Sequence, residues 1–237
     1  MSSSDAPTDR LLAVSEVFES IQGEGPSAGE PSLFLRLARC NLHCRYCDTR
    51  YTWDFAAYRF EDEVHDEPID ALAARLAASN LRRLVVTGGE PLLQQRGLVE
   101  LFALLPGDFT IEIETNGTIA PDPTLRARVD QWNVSPKLAN GGDPEAMRLR
   151  PAVLAAFLST ERAFLKLVLG GPEDLLEAEA LIARTGFPRA RVLLMAEGAT
   201  PSELSTRGPF VAAEALRRGL RYSPRLHVEL WGGARGR

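Results

Sequence analysis

Three cysteines lie close together early in the chain. Cys40, Cys44 and Cys47 follow the spacing C-x3-C-x2-C, and they are the whole cysteine content of the 237-residue sequence. An odd number of cysteines in one short segment cannot form a disulfide framework, and in a reducing compartment such a segment more often binds metal. Three thiolates at this spacing can hold three irons of a [4Fe-4S] cluster and leave the fourth iron open to another ligand.

Two other interpretations of the cysteines stay open from spacing alone. The thiols could be inert buried groups, although structural cysteines have no reason to cluster. A zinc site completed by His43 is the second alternative, but structural zinc sites usually use paired C-x2-C arms. The spacing therefore favours an iron–sulfur site.

Polar residues follow several of the predicted strands. Thr87-Gly88-Gly89-Glu90-Pro91 joins a strand to a helix, where the glycines allow close backbone approach and Glu90 can accept hydrogen bonds from an ammonium group. Further polar groups end three later strands, namely Ile113-Glu114-Thr115-Asn116-Gly117, Ser135-Pro136-Lys137 and Met195-Ala196-Glu197-Gly198. In parallel sheets ligands gather at the carboxyl ends of the strands, so these groups are candidate ligand contacts. A plain turn or strand cap is the alternative for each.

Alternating strand and helix patterns must position these residues. The predicted strands are residues 13–18, 32–37, 83–87, 109–114, 131–135, 163–169, 191–195 and 225–230. The predicted helices are residues 69–78, 92–105 after Pro91, 151–159, a segment opened by Pro172, and 209–218. Repeated strand–helix units imply right-handed crossovers and a parallel sheet. Too few units fit for a closed eight-fold barrel, so an α/β fold with a partial, open β/α barrel is predicted.

The overall composition excludes several classes of protein. The length fits one domain over residues 1–237, with residues 1–10 as a disordered polar tail. A net charge of -5 argues against a nucleic-acid partner, because phosphate binding needs clustered Lys and Arg. No apolar run approaches the roughly 20 residues that span a bilayer, and the N-terminus does not resemble a signal peptide. We therefore expect a cytoplasmic protein.

The segment C-x3-C-x-aromatic-C directly after a strand resembles the signature of the radical S-adenosylmethionine (SAM) superfamily. The resemblance implies that the open iron chelates SAM and that an electron from an external flavodoxin-like donor cleaves SAM to a 5′-deoxyadenosyl radical. It implies that the ring of Tyr46 lies near the adenine and that the GGEP segment binds the SAM amino group. The cofactor-binding residues predicted in this way are Tyr46, Asp48, Gly89, Glu90, Thr115, Ser135, Pro136, Lys137, Met195 and Glu197.

Three further segments resemble the 7-carboxy-7-deazaguanine synthase family within that superfamily. They are E-x-F-x-S-I-Q-G-E-G from Glu16 to Gly25, F-L-R-L-x-x-C-N-L around Arg36, and C-D-T from Cys47 to Thr49. TGGEP, SPK and the pair His227 and Trp231-Gly232 extend the resemblance over most of the chain. The resemblance implies conversion of 6-carboxy-5,6,7,8-tetrahydropterin to 7-carboxy-7-deazaguanine and ammonia, with SAM regenerated, magnesium assisting and a homodimeric enzyme.

The residue chemistry is compatible with that substrate. Arg36 offers the planar, bidentate cation that suits a pterin carboxylate, and Gln22 and Glu24 offer donors and acceptors for the 2-aminopyrimidinone edge. The Thr49 hydroxyl is a plausible single protein ligand of magnesium, which prefers hard oxygen atoms and keeps waters. The predicted substrate-binding residues are Ile21, Gln22, Gly23, Glu24, Arg36, Thr87 and His227.

Two features depart from the family pattern, and two rival functions remain. The GGARGR end is longer and more basic than the resemblance implies. No clear helix separates Cys47 from the helix at Ile69, and residues 53–67 are expected to form a loop or lid. One rival function is a radical SAM activating enzyme that acts on a protein partner, which leaves the Gln-Gly-Glu-Gly segment unexplained. The other is a non-catalytic iron–sulfur module, which three rather than four cysteine ligands disfavour.

Overall fold

A nine-stranded sheet organises the computed structural model, which describes residues 10–237. The tail predicted for residues 1–10 therefore lies, except for Arg10, outside the described residues. In chain order the strands are β1 (Leu11–Ile21), β2 (Pro31–Leu37), β3 (His65–Pro68), β4 (Arg83–Gly88), β5 (Thr110–Thr115), β6 (Gln131–Val134), β7 (Ala163–Leu169), β8 (Val192–Ala196) and β9 (Arg221–Ser223).

The strand order is β3-β1-β2-β4-β5-β6-β7-β8-β9. The pairs β1–β2 and β1–β3 are antiparallel, whereas every neighbouring pair from β2–β4 to β8–β9 is parallel. The short strands β3 and β9 form the two edges of the sheet, so the barrel is open. The predicted partial β/α barrel is confirmed.

Helices lie between most of the strands and after the last one, and the main hydrophobic core lies between them and the sheet. They are α1 (Phe60–Glu63), α2 (Ile69–Ala77), α3 (Gln95–Leu104), α4 (Pro123–Arg128), α5 (Glu145–Arg148), α6 (Pro151–Leu158), α7 (Asp174–Thr185), α8 (Pro201–Arg217) and α9 (Leu226–Trp231). Among residues 10–237, no helix has both the length and the apolar composition needed to cross a membrane.

Alternate residues of the parallel strands face two different environments. In β5, Ile111 and Ile113 belong to the main hydrophobic cluster beneath the helices. Successive side chains of a strand point to opposite faces, so Glu112 and Glu114 lie on the concave face of the sheet, where both contact the β1–β2 connection. Lys166 likewise interrupts the apolar strand β7. The concave face is therefore polar and suited to a ligand.

The prediction of a last strand at residues 225–230 was wrong. Strand β9 (Arg221–Ser223) already occupies the position beside β8, pairing with it through three residues. Pro224 follows β9 and cannot donate a ladder hydrogen bond, so the chain leaves the sheet there. The next residues form α9, and His227 lies on this helix rather than on a strand.

Other boundaries also differ from the sequence prediction. Helix α8 begins at Pro201, after a capping box between Thr200 and Glu203, and Pro209 lies inside it rather than at its start. Helix α7 begins at Asp174, two residues after the predicted opening at Pro172. Residues 53–67 contain the short helix α1 and then the edge strand β3, which pairs with β1.

Candidate active site

One cavity of about 350 Å³ opens at the carboxyl ends of the parallel strands. This volume lies within the range that ligand pockets usually have. Of the predicted site residues, Glu90 and Pro136 do not line the cavity. The lining includes the rest, namely Ile21, Gln22, Gly23, Glu24, Arg36, Cys40, Cys44, Tyr46, Cys47, Asp48, Thr49, Thr87, Gly89, Thr115, Ser135, Lys137, Met195, Glu197 and His227.

The cysteine loop follows β2 and lies on one side of this cavity. Its backbone is held from the opposite loop, because Arg45 N–H donates to the Gly141 carbonyl at 2.9 Å and His43 N–H donates to the Asp143 carboxylate at 3.2 Å. The indole N–H of Trp53 donates to Cys47 Sγ at 3.3 Å. These contacts define the conformation of the cysteine loop.

The three thiols fit an iron–sulfur cluster as a donor set. All three are free of disulfides and line the same cavity, and the sequence supplies no fourth cysteine. Burial raises the pKa of Cys40 to about 12 and that of Cys44 to about 11. Because metal ligands must be deprotonated, assembly of a cluster would release protons from these thiols. Three sulfur ligands leave one iron of a [4Fe-4S] cluster for a ligand from the cavity.

The glycines of the GGEP segment allow the cysteine loop to pack against the end of β4. A Cβ atom at Gly88 would lie 2.0 Å from the Leu37 carbonyl oxygen, and one at Gly89 would lie 2.1 Å from the Arg39 carbonyl oxygen. Both distances are prohibitive, and the contacting atoms are backbone. These glycines are therefore required for the approach of the cysteine loop to the sheet.

Glu90 lies beneath the cavity instead of lining it. Its side chain is fully buried, with one oxygen accepting from Leu92 N–H at 3.0 Å and from the Thr115 hydroxyl at 2.8 Å. The other oxygen accepts from Asn116 N–H at 2.7 Å. Burial raises the pKa of Glu90 despite these donors. In this structure the carboxyl group connects the ends of β4 and β5 through these hydrogen bonds. A contact between Glu90 and SAM stays a prediction.

Gln22 is held in a single orientation by the polar face of β5. It is 2% exposed, and its amide nitrogen donates to Glu112 at 2.7 Å and to Glu114 at 3.2 Å. Its carbonyl oxygen accepts from the backbone N–H of Glu24 at 3.1 Å. The Thr87 hydroxyl donates to the other oxygen of Glu114 at 2.8 Å. Three predicted residues thus belong to one hydrogen-bond network with Glu114.

Two buried cations neutralise Glu24. Lys166 forms an ion pair with one carboxylate oxygen, and Arg225 Nε donates to the other at 2.9 Å. Although burial opposes ionisation, these cations hold the pKa of Glu24 well below its usual range. Arg225 also pairs with Asp48, and together with other cations it lowers the pKa of that carboxyl group despite burial. Glu24 is therefore an ionised acceptor at neutral pH.

Lys166 and Arg225 are among the cavity residues that sequence reasoning missed. Lys166 carried a usable signal, because it is the lone charge in the apolar strand AFLKLVL. A buried charge requires a partner, so its position should have suggested a site. Arg225 carried no such signal, since it lies at the start of a segment that was misassigned as a strand.

The oxygen ligands available for a cation are limited. Donor atoms of Glu24, Asp48 and His227 lie within 4.8 Å of one another, but Arg225 and Lys166 already neutralise the two carboxylates. This group is therefore poorly suited to a divalent ion. The Thr49 hydroxyl lies beside it on the cavity, 3.7 Å from Cys47 Sγ. Its hard oxygen fits magnesium as one ligand among waters and ligand oxygens.

Arg36 also lines the cavity, and it lies opposite Glu16 on the paired strand β1. Its Nε donates to Glu16 at 2.9 Å, and the Tyr51 hydroxyl donates to the same oxygen at 3.0 Å. The guanidinium also covers the ring of Phe18, with 5.4 Å between the guanidinium carbon and the ring centroid. Arg36 is thus held by a carboxylate and an aromatic ring within reach of a bound anion.

The comparisons with known proteins agree on one family. Residues 36–140 match the model of the radical SAM superfamily. A 7-carboxy-7-deazaguanine synthase of Pyrobaculum aerophilum is 41% identical over 99% of this chain and 100% of its own length. The protein of the same name from Halobacterium salinarum is 37% identical, over 94% of this chain and 91% of its own. The crystal structure of QueE from Escherichia coli superposes with a TM-score of 0.68 at 26% identity, covering 94% of this chain and 98% of that one.

Proposed function

Since the chain belongs to the 7-carboxy-7-deazaguanine synthase family of radical SAM enzymes, we propose that it converts 6-carboxy-5,6,7,8-tetrahydropterin to 7-carboxy-7-deazaguanine and ammonia. The product and ammonia together contain every atom of the substrate, so the reaction needs no net oxidant. The enzyme is a lyase of 7-deazapurine biosynthesis, the pathway type that leads to queuosine. The two rival functions, an activating enzyme for a protein partner and a non-catalytic iron–sulfur module, are not favoured by these relatives.

The observation that supports this function best is a single cavity lined by two chemically different groups of side chains. The three free thiols line it together with Arg36, a cation suited to a carboxylate. Gln22 and Glu24 line the same cavity, and the ionised Glu24 carboxylate can accept from N–H groups of a polar ring edge.

The [4Fe-4S] cluster and SAM supply the radical chemistry when bound, and the chain supplies their ligands. We propose that Cys40, Cys44 and Cys47 hold the cluster. SAM would contact the cysteine loop and the strand ends that follow it. The proposed residues are Tyr46 and Asp48 in the loop and Gly89, Glu90, Thr115, Ser135, Pro136, Lys137, Met195 and Glu197 near the strand ends. These strand ends lie next to the cysteine loop, which is consistent with a ligand that bridges the cluster and the substrate.

The substrate would be oriented by charge at one end and by hydrogen bonds along one edge. Arg36 presents a guanidinium to the pterin carboxylate, and a charge-assisted pair of this kind is strong and directional. Glu24 stays ionised because Lys166 and Arg225 neutralise it, so it can accept from the N–H groups of the pyrimidinone. The remaining contacts proposed for the ring are Ile21, Gln22, Gly23, Thr87 and His227.

Further features of the enzyme are proposed from the family and the residues. Magnesium would bind through the Thr49 hydroxyl, with the substrate and waters as its other ligands. A flavodoxin-like protein would donate the electron. The enzyme would be a cytoplasmic homodimer that acts on a small molecule and not on nucleic acid or a membrane.

Anaerobic turnover tests the reaction directly. The reconstituted protein is incubated with SAM, a reductant and 6-carboxytetrahydropterin, and products are identified by mass spectrometry. We expect 7-carboxy-7-deazaguanine and ammonia in excess over 5′-deoxyadenosine, because SAM is regenerated. Cys47→Ala serves as the control that should form neither. Cleavage of SAM by the wild type without pterin conversion would contradict the proposed substrate.

A further inference from the structure

The C-terminal segment, residues 232–237, brings a second guanidinium to the ion-pair partner of Arg36. Gly232 ends α9 with a φ of 62°, which lets the chain reverse direction after the helix. All six residues of the segment then line the cavity. Arg235 Nε donates to Glu16 at 3.0 Å, and its terminal nitrogens donate to the two oxygens of Glu63 at 3.2 and 2.8 Å.

Aromatic packing fixes the same arginine from another side. The guanidinium carbon of Arg235 lies 3.8 Å from the centroid of the Tyr51 ring. The Tyr51 hydroxyl in turn donates to Glu16. Ion pairs to two carboxylates and a cation–π contact therefore define the position of a residue only two positions from the chain end.

Glu16 is the shared partner of Arg235 and Arg36. One of its oxygens accepts from Arg235, while the other accepts from Arg36 Nε at 2.9 Å and from Tyr51. Arg36 consequently uses only Nε in its pair with Glu16. Within residues 10–237 its two terminal nitrogens have no hydrogen-bond acceptor, and Arg36 lines the cavity. Those nitrogens are the pair of donors that can bind a carboxylate side by side.

We propose that Arg235 is a positioning residue that keeps Arg36 available for the substrate carboxylate. This inference rests on the proposed function. With one oxygen engaged by Arg235, Glu16 cannot present both oxygens to the guanidinium of Arg36. Without Arg235, Glu16 can rotate into a bidentate pair with Arg36 and occupy the nitrogens that the substrate needs.

The local charge balance supports the same role. Glu16 and Glu63 are largely buried, with side chains 16% and 11% exposed, and Arg36 and Arg235 supply two matching positive charges. Removal of Arg235 would leave two carboxylates beside one guanidinium. The surplus negative charge would oppose the binding of an anion to Arg36.

Equilibrium binding of two ligands that differ only in the carboxylate tests the proposal. The probes are 6-carboxypterin and pterin, whose fluorescence reports binding to the cluster-loaded enzyme under anaerobic conditions. Arg235→Ala should raise the dissociation constant of 6-carboxypterin by about ten-fold, the effect of losing one charge-assisted hydrogen bond. The dissociation constant of pterin should change by no more than about two-fold. Adding Glu16→Gln to Arg235→Ala should restore part of the preference, because it removes the competing charge. If Arg235 had a purely structural role, the second substitution would not restore the preference for 6-carboxypterin.

Arg217→Ala is the matched control, since it removes the same charge from the exposed end of α8. It should keep the wild-type ratio of the two dissociation constants. Equal weakening of both probes in Arg235→Ala, an unchanged ratio, or a wild type that does not prefer 6-carboxypterin would each overturn the inference. Turnover of 6-carboxytetrahydropterin by the wild type is measured in parallel. If the wild type converts this substrate but the binding results contradict the role of Arg235, the inference fails while the proposed reaction stands.

Discussion

The indole N–H of Trp53 donates a hydrogen bond to Sγ of Cys47 at 3.3 Å. Trp53 lies after the cysteine loop, and its ring packs against His43 with 4.8 Å between the ring centroids. Hydrogen bonds to sulfur ligands are one of the factors that set the reduction potential of an iron–sulfur cluster. The segment expected to be a loop or lid therefore also contacts one of the cysteines proposed to hold the cluster.

Trp53→Phe should make the cluster harder to reduce. The hydrogen bond stabilises the extra negative charge of the reduced cluster, and phenylalanine keeps an aromatic ring but cannot donate. We expect a lower midpoint potential in an EPR-monitored redox titration, without loss of bound iron. Trp231→Phe, at the end of α9, is the control for removal of an indole. An unchanged potential would show that this hydrogen bond does not influence the cluster.

Arg36→Lys should weaken substrate binding and leave SAM binding intact. Lysine keeps the charge but loses the planar pair of donors that matches a carboxylate. A charge-assisted hydrogen bond contributes roughly 1.5–3 kcal/mol, so an increase of about ten- to a hundred-fold in apparent KM is expected. Initial rates and SAM binding are compared with the wild type. Wild-type kinetics with the pterin would contradict the proposed orientation of the substrate.

Thr49→Ala should reduce the response of turnover to added magnesium. The variant loses a hydroxyl ligand, while the contact between Arg36 and the substrate carboxylate is retained. Rates are measured across a magnesium titration, and the visible absorbance of the cluster checks that the neighbouring Cys47 still binds iron. The same titration curve for variant and wild type would exclude Thr49 as a magnesium ligand.

Local residue patterns were sufficient to predict the open barrel and the strand ends. The parallel strands are short apolar runs, and their boundaries mostly agree with the structure. The arrangement around Glu24 was not predictable, because Lys166 and Arg225 reach it from distant parts of the chain. Glu90 was predicted to contact SAM from its position in a motif, whereas its burial depends on the packing of β4 against β5. Long-range ion pairs and burial are tertiary properties that spacing alone does not contain.

Lys166→Met should shift the acidic limb of the pH–rate profile to higher pH. In the wild type, Lys166 and Arg225 hold the pKa of Glu24 well below its usual value, so this carboxylate stays ionised throughout the neutral range. Removing one cation raises that pKa, and protonated Glu24 can no longer accept from both N–H groups of the substrate edge. The dependence of kcat/KM on pH measures the shift. Glu24→Gln is the matched control, because it should abolish this limb; an unmoved limb in Lys166→Met would exclude Glu24 as the titrating group.

Glu90→Gln should destabilise the protein itself, whether or not the cavity holds SAM. Glu90 is fully buried and its oxygens accept from Leu92 N–H, Asn116 N–H and the Thr115 hydroxyl. A glutamine amide has only one acceptor oxygen and places an N–H₂ group against a donor. An unsatisfied buried polar group costs about 1–3 kcal/mol, so the free energy of unfolding should fall by about that amount. Urea denaturation of the apo-protein measures the change, with the partly exposed Glu100→Gln as control. If the Glu90→Gln apo-protein is as stable as the wild-type apo-protein but binds SAM more weakly, Glu90 contacts SAM and does not stabilise the connection between β4 and β5.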